Sequence, residues 1–165
     1  MTLCIDTETT VIDSIDESIR EVFEMMADAV LVREGERCRV TNNQYKIDAA
    51  TNGISVVMGL TGGLKGSVSL SMSDEAAMRW ATALIDHQAS EIDETVLDAI
   101  GELGNMVVGG AKRRLSDFAL KMSLPSVIRV GVDGIAFPQS GSSIAVGYQY
   151  AGSTITVLTA LQAHC

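Results

Sequence analysis

Glu102 and Asn105 stand three residues apart in the segment Asp98-Ala99-Ile100-Gly101-Glu102-Leu103-Gly104-Asn105-Met106-Val107-Val108-Gly109-Gly110-Ala111, and no other pair in the chain is better suited to chemistry. Projected on a helix at about 100° per residue, Val96, Ile100, Leu103, Val107 and Ala111 gather on one side. Asp98, Glu102, Asn105 and Gly109 gather on the other, which makes the carboxylate and the amide neighbours on an outward face. A carboxylate only accepts hydrogen bonds, whereas an amide donates and accepts at once without adding charge. On most amphipathic helices such a pair is simply the solvated side. Here four glycines crowd the same stretch, each costing up to about 1 kcal/mol relative to alanine. Gly104 and Gly109 also strip side-chain bulk from beside the pair, leaving bare ground on which another protein's backbone can come close. Asp98, Gly104 and Gly109 are therefore expected to form a partner-contact surface around Glu102 and Asn105.

The common catalytic sets are missing. There is no G-x-G for a dinucleotide, no Gly-Lys-Ser/Thr ending for a P-loop and no G-x-S-x-G elbow. The histidines are His87 and His164, too few for a two-histidine metal site or a base beside a nucleophile, and His87 with Glu91 reads as a solvated polar pair in a connection. Cys4, Cys38 and Cys165 are odd in number, widely spaced and without C-x-x-C, which fits neither a disulfide framework nor zinc. With 21 Asp and Glu against 12 Lys and Arg, the net charge of -9 repels nucleic acid and anionic lipid. No run approaches the roughly 18 apolar residues of a membrane span, and Met1 to Asp13 lacks the basic, apolar, small-residue succession of a secretory signal. The expectation is a cytoplasmic protein with neither nucleic acid nor membrane as partner.

The elements that must position the pair can be read from periodicity. Ser14 and Glu17 have capping-box spacing, with Ile15, Ile19, Val22, Phe23, Met26 and Val30 following at helical intervals, which predicts a helix over about 14–31 and leaves 1–13 as an N-terminal extension to a single domain over 14–165. Ile54–Met58 and Gly66–Met72 alternate as strands about the turn Thr61-Gly62-Gly63. Ser73 or Asp74 opens a second helix to about Ile85, and a third spans about 94–120 before Pro125. Strands follow at Val127–Val130, Ser143–Tyr150 and Thr154–Leu161, the last two joined across Ala151-Gly152. Strands linked by tight turns predict an antiparallel sheet with long helices on one face, an α+β fold. Ile54–Met72 and Ile144–Leu161 are both strand, glycine turn, strand, each preceded by a long helix, so two pseudo-symmetric halves are expected. No charged residue stands between Asp133 and the C-terminus, and the apolar strand Thr154-Ile155-Thr156-Val157-Leu158, taken as a sheet edge, predicts a homodimer built partly through it.

The block over 98–111 resembles the CheX/CheC/FliY family, marked by Glu-x-x-Asn on a helix within Asp-Ala-Ile-Gly-Glu-Leu-Gly-Asn-Met-x-x-Gly. The likeness extends in layout to Val22-Phe23-Glu24, to Ser123-Leu124-Pro125 and to the paired hairpins. The resemblance implies a phosphatase acting on the aspartyl-phosphate of a CheY-like response-regulator receiver, with Asn105 orienting the attacking water and Glu102 docking on a lysine of the receiver. It implies no cofactor in this chain, since Mg2+ belongs to the receiver. A relative that binds receivers without hydrolysis, an adaptor or flagellar-switch module, is the alternative. Sliding the third helix onto the first sets Glu102 over Glu21, Asn105 over Glu24, Met106 over Met25, Gly104 over Phe23 and Gly109 over Asp28, which predicts one site per chain because the asparagine is lost.

Overall fold

The computed structural model describes residues 2–40, 44–45, 53–130, 135–136 and 142–162. Helix α1 runs over Thr2–Ala27. Val11, Ile15, Ile19, Val22 and Phe23 recur on one face of it and are all buried. The expected start at residue 14 is wrong by three turns. Ser14 is no cap, for its hydroxyl donates to the Thr10 carbonyl at 2.8 Å inside the helix, and Val11 and Ile12 already belong to the core. The segment set apart as 1–13 thus continues α1 from Thr2 onward. The helix stops at Asp28, whose φ of 48° is left-handed.

Helix α2 (Asp74–Ile85) starts where Ser73 predicts, the Ser73 hydroxyl accepting from the Ala76 N–H. Helix α3 (Glu94–Arg114) is capped by Asp93, whose carboxylate accepts from the Val96 N–H at 2.9 Å, and Lys112, Arg113 and Arg114 complement its C-terminal dipole. It ends at Arg114 rather than near 120. Leu115 and Leu120 turn into the core, and between them the chain tightens into a 3-10 turn at Ser116–Phe118 closed by Ala119 at φ 46°.

The strands are β1 (Val32–Arg39), β2 (Gln44–Tyr45), β3 (Gly53–Thr61), β4 (Lys65–Ser73), β5 (Lys121–Met122), β6 (Ser126–Val130), β7 (Ile135–Ala136), β8 (Ser142–Tyr150) and β9 (Ser153–Gln162). Every pairing is antiparallel. Seven of them form one sheet in the order β1-β8-β9-β4-β3, with β3 then pairing both β5 and β6, while β2 and β7 pair separately. This is the α+β sheet with helices on one face that the sequence predicts. Ile54, Val56 and Met58 of β3 and Val68, Leu70 and Met72 of β4 point to the helices and are fully buried, while Ser55, Ser69 and Ser71 alternate onto the other face.

One expectation about the sheet fails. β9 is not an edge: it pairs with β8 on one side and β4 on the other. Among the described strands, the free edges lie at β1 and at β5 and β6.

The two halves obey a common register. Ser55 pairs with Ile128 and Val56 with Val127, and the same pairs advanced by 89 residues on one strand and set back by 89 on the other are Ile144 with Arg39 and Ala145 with Cys38. Across the seam Ser69 faces Leu158, again 89 positions on, with Val68 facing Thr159 and Leu70 facing Val157 on either side. A pseudo-twofold axis therefore passes between β4 and β9. The helices repeat the shift: the buried positions Val11, Ile12, Ile15, Ser18, Ile19 and Val22 of α1 carry over to Ile100, Gly101, Gly104, Val107, Val108 and Ala111 of α3, which are buried as well.

Candidate functional site

Three of the four glycines in α3 serve packing. A Cβ on Gly104 would stand 2.8 Å from Val56 Cγ2 and 3.2 Å from Met58 Sδ, so its hydrogen lets the helix lie directly on β3. Gly101 faces Pro125 and Val127, each 3.7 Å from a Cβ built there. Gly110 faces α1, where a Cβ would run into the Ser18 hydroxyl, and that hydroxyl donates to the Val107 carbonyl at 2.6 Å. On the opposite flank the Trp80 indole N–H of α2 donates to the Ala99 carbonyl at 2.8 Å, burying one more backbone acceptor with a partner. The helix is thus held by sheet and by both neighbouring helices at the level of its backbone.

The sequence pattern sets Gly104 on the outer surface beside the pair; it is buried and faces the sheet instead. The glycine is explained by close helix–sheet approach, which spacing alone does not separate from bareness toward a partner. Gly109 does lie outward, with nothing within 4 Å of a Cβ added there. Asp98 and Glu102 are exposed and Asn105 is half-exposed on the same face. The Asn105 amide donates to Glu102 Oε2 at 3.5 Å, a long contact that leaves both groups available. Among the described residues no cation lies within ion-pair distance of Glu102, and no group of three or more His, Cys, Asp or Glu side chains could hold a metal.

His87 Nε2 lies 2.7 Å from Asp93 rather than on Glu91, tying the α2–α3 connection to the cap of α3. The Val96 N–H and then His87 hold the Asp93 carboxyl below its usual range. Cys38 is a free, exposed thiol, and His164 and Cys165 lie outside the described residues. No described helix is long and apolar enough to cross a membrane.

The sequence profile of chemotaxis phosphatase CheX matches residues 54–149, which includes the whole of α3. This chain belongs to that family. The CheY-P phosphatase CheX of Thermotoga maritima is 30% identical over 120 residues, 71% of each chain. A chemotaxis protein CheX from Desulfovibrio desulfuricans shares the fold at TM-score 0.79 with 25% identity, covering 92% of this chain and 99% of that one. A CheX–CheY–BeF3–Mg2+ complex from Borrelia burgdorferi is similar in fold alone, at TM-score 0.72 and 19% identity over 92% of this chain and 97% of that one.

Within a CheX-family fold of two like halves, the counterpart of the pair can be located from the register. The shift of 89 places Glu102 on Asp13 and Asn105 on Asp16, not on Glu21 and Glu24 as helix sliding predicts. Phe23, expected on the surface in place of Gly104, is buried between Trp80 and Tyr150, each ring 4.8 Å away. The signal that finds the right pair lies in the hairpins, since strand pairing fixes register where two amphipathic helices alone slide freely.

Asp13 and Asp16 are both held by arginines, Asp16 half-buried and Asp13 exposed. Asp16 accepts from the buried Tyr148 hydroxyl and bridges Arg33 at 2.9 Å and Arg20 at 3.3 Å, while Asp13 is engaged by Arg37. Burial alone would raise the Asp16 carboxyl, but the Tyr148 and Arg33 hydrogen bonds and the Arg20 charge outweigh it and hold it below the usual range. Tyr148 is raised far above an ordinary phenol, by burial first and then by Asp16.

Proposed function

We propose that this chain hydrolyses the acyl phosphate on the aspartate of a CheY-like response-regulator receiver, as the relative named a CheY-P phosphatase does. The observation that carries the reading is the state of the two equivalent sites. Glu102 is exposed and Asn105 half-exposed, both unpaired by cations among the described residues, on a helix locked from behind, while Asp13 and Asp16 are each ion-paired with arginines.

The chemistry asks for little from the helper. Water attacks phosphorus in line, the bond from phosphorus to the aspartyl oxygen breaks, and the products are inorganic phosphate and the free carboxylate. Asn105 serves by accepting from the attacking water and donating to a phosphoryl oxygen, which a carboxylate at that place would repel. Glu102, one turn back, docks on a lysine of the receiver. Mg2+ belongs to the receiver, where it neutralises the phosphoryl oxygens, in keeping with the fold neighbour solved with CheY and magnesium. Asp98 and Gly109 complete the contact face. The protein works in the cytoplasm and as a homodimer. The dimer contact we assign to the free edge of β1 instead of β9.

The test is the dephosphorylation rate of magnesium-loaded, phosphorylated receivers. Asn105→Ala should bind the receiver and lose on the order of 10²-fold in rate, the scale of a misplaced reacting group, with an unchanged unfolding temperature. Glu102→Lys should weaken docking, and Asn105→Asp should not restore the rate. An Asn105→Ala protein with parental rate and parental stability would sink the assignment.

A further inference from the structure

Two exposed apolar surfaces flank the polar pair, one on each side. On one side Pro125 packs beside Gly101, and Leu124 before it is 87% exposed. That leucine is not on a loose loop: the Ser123 N–H donates to the Gly59 carbonyl at 2.9 Å, and the Ser123 hydroxyl accepts from the Gly59 N–H at 2.9 Å and donates to the Leu124 carbonyl at 2.9 Å. A large apolar side chain is held out to water on a fixed backbone. On the other side, α1 and α3 leave a shallow groove of about 240 Å³ whose apolar wall is Met25, Met26, Val22 and Met106. Met25 is 73% exposed and Met106 directly follows Asn105.

Their order around α3 follows from the helix itself. At about 100° per residue Asn105 lies about 40° from Gly101, and Met106 lies about 100° beyond Asn105 with Glu102 between them. A body that covers Asn105 closely enough to share a water with it must therefore meet the ridge at Leu124 and the groove at Met25 and Met106 together. Among the described residues, nothing covers the exposed side chains of Leu124 and Met25. Single exposed apolar residues are ordinary, but a backbone-fixed leucine and a methionine-lined groove on the two sides of one polar pair form the kind of polar-rimmed apolar surface that marks an interaction site. Methionine lining suits a surface that must adapt, and a preorganised leucine suits an anchor.

We infer that Leu124 and the Met25–Met106 groove are the two apolar grips by which the chain selects and holds its receiver, with Asn105 positioned between them. The inference rests on the phosphatase reading and adds to it the residues that set affinity. The occupant is the receiver because both grips are continuous with the face that its phosphoryl group must approach.

The experiment is steady-state kinetics on one phosphorylated receiver that the parental chain dephosphorylates, beside titration of the same receiver loaded with beryllofluoride. Leu124→Ser and Met25→Ser should each raise KM and Kd on the order of 10-fold, the loss of one apolar anchor, with kcat at saturation within about twofold and the unfolding temperature unchanged. Ile85→Ser, at an exposed apolar residue that ends α2, should change neither. Parental KM and Kd in both grip variants overturns the inference, as does a fall in kcat with KM unchanged. A parental chain that binds the beryllofluoride-loaded receiver but never hydrolyses its phosphoryl form overturns the phosphatase reading instead, and the Kd ratios still decide on the grips.

Discussion

Helices α1 and α3 occupy equivalent places in the two halves and have been put to opposite uses. Where α3 carries Gly101 and Gly104, α1 carries Ile12 and Ile15, both buried. Where α3 carries the uncharged, half-exposed Asn105, α1 carries Asp16, with the Arg20 guanidinium 5.8 Å from the Tyr148 ring centre standing where Gly109 leaves open space. The strand that flanks α1 supplies Arg33 and Arg37, which reach over the acids; the segment that flanks α3 supplies Ser123-Leu124-Pro125, which packs Pro125 on Gly101 and puts no charge on Glu102 or Asn105. A site, by this comparison, is made as much by what the neighbouring strand withholds as by what the helix offers. The sealed half uses its polar groups to hold α1 to the sheet, and the open half is held by glycine contacts and backbone acceptors so that its polar groups remain free.

The largest expected effect tests the packing side of that contrast. Ile15→Ala should cost about 2–5 kcal/mol of stability, because it empties a filled core position. Gly104→Ile should cost about 1–3 kcal/mol for the opposite reason, since even its Cβ would stand 2.8 Å from Val56 Cγ2. Both are read from denaturant midpoints. A Gly104→Ile protein as stable as the parent would mean that α3 can lift off β3 freely, and close approach would no longer explain the glycine.

A smaller effect tests the seal. Tyr148→Phe removes the hydroxyl that donates to Asp16 and should cost about 1–2 kcal/mol near neutral pH. The sign with pH is fixed by the depressed Asp16 carboxyl: a group whose folded pKa lies below its unfolded one stabilises the fold above the unfolded value and loses that contribution as pH falls through the folded one. The difference between parent and Tyr148→Phe should therefore shrink as pH is lowered through the acidic range. A constant difference down to the pH where Asp16 is protonated would mean that the loss does not come from the hydroxyl's bond to the Asp16 carboxylate.

Much of the fold and of the site is legible in the sequence, and what escapes it does so for physical reasons. The face with Asp98, Glu102, Asn105 and Gly109, the Ser73 cap and the hairpin strands follow from local periodicity and cap chemistry, which act over a few residues. The start of α1 escapes because Ser14 has the form of a cap, and only the burial of Val11 and Ile12 shows that the helix has already begun. Gly104 reads as open ground because glycine serves close packing and bare surface alike; its neighbour across the gap is Val56, far away in sequence. The place of β9 between β8 and β4 is long-range pairing that no local pattern encodes.

The smallest expected effect is the sharpest test of the comparison, because the expectation is no effect at all. In an Asn105→Ala background, Asp16→Asn places an amide at the position in α1 that corresponds to Asn105, with Asp13 standing where Glu102 does. If a carboxylate–amide pair on a helix were sufficient, some phosphatase activity should return. It should not. The new amide would still lie beneath Arg20, Arg33 and the Tyr148 hydroxyl, and Arg37 would still occupy Asp13, so no receiver could bring its phosphoryl group within reach. The flank also lacks an apolar ridge, for the shift of 89 sets Gly35 where Leu124 stands in the other half. The rate on a phosphorylated receiver should match that of Asn105→Ala alone. A measurable gain would show that the seal opens on its own and that α1 is a second site held in reserve.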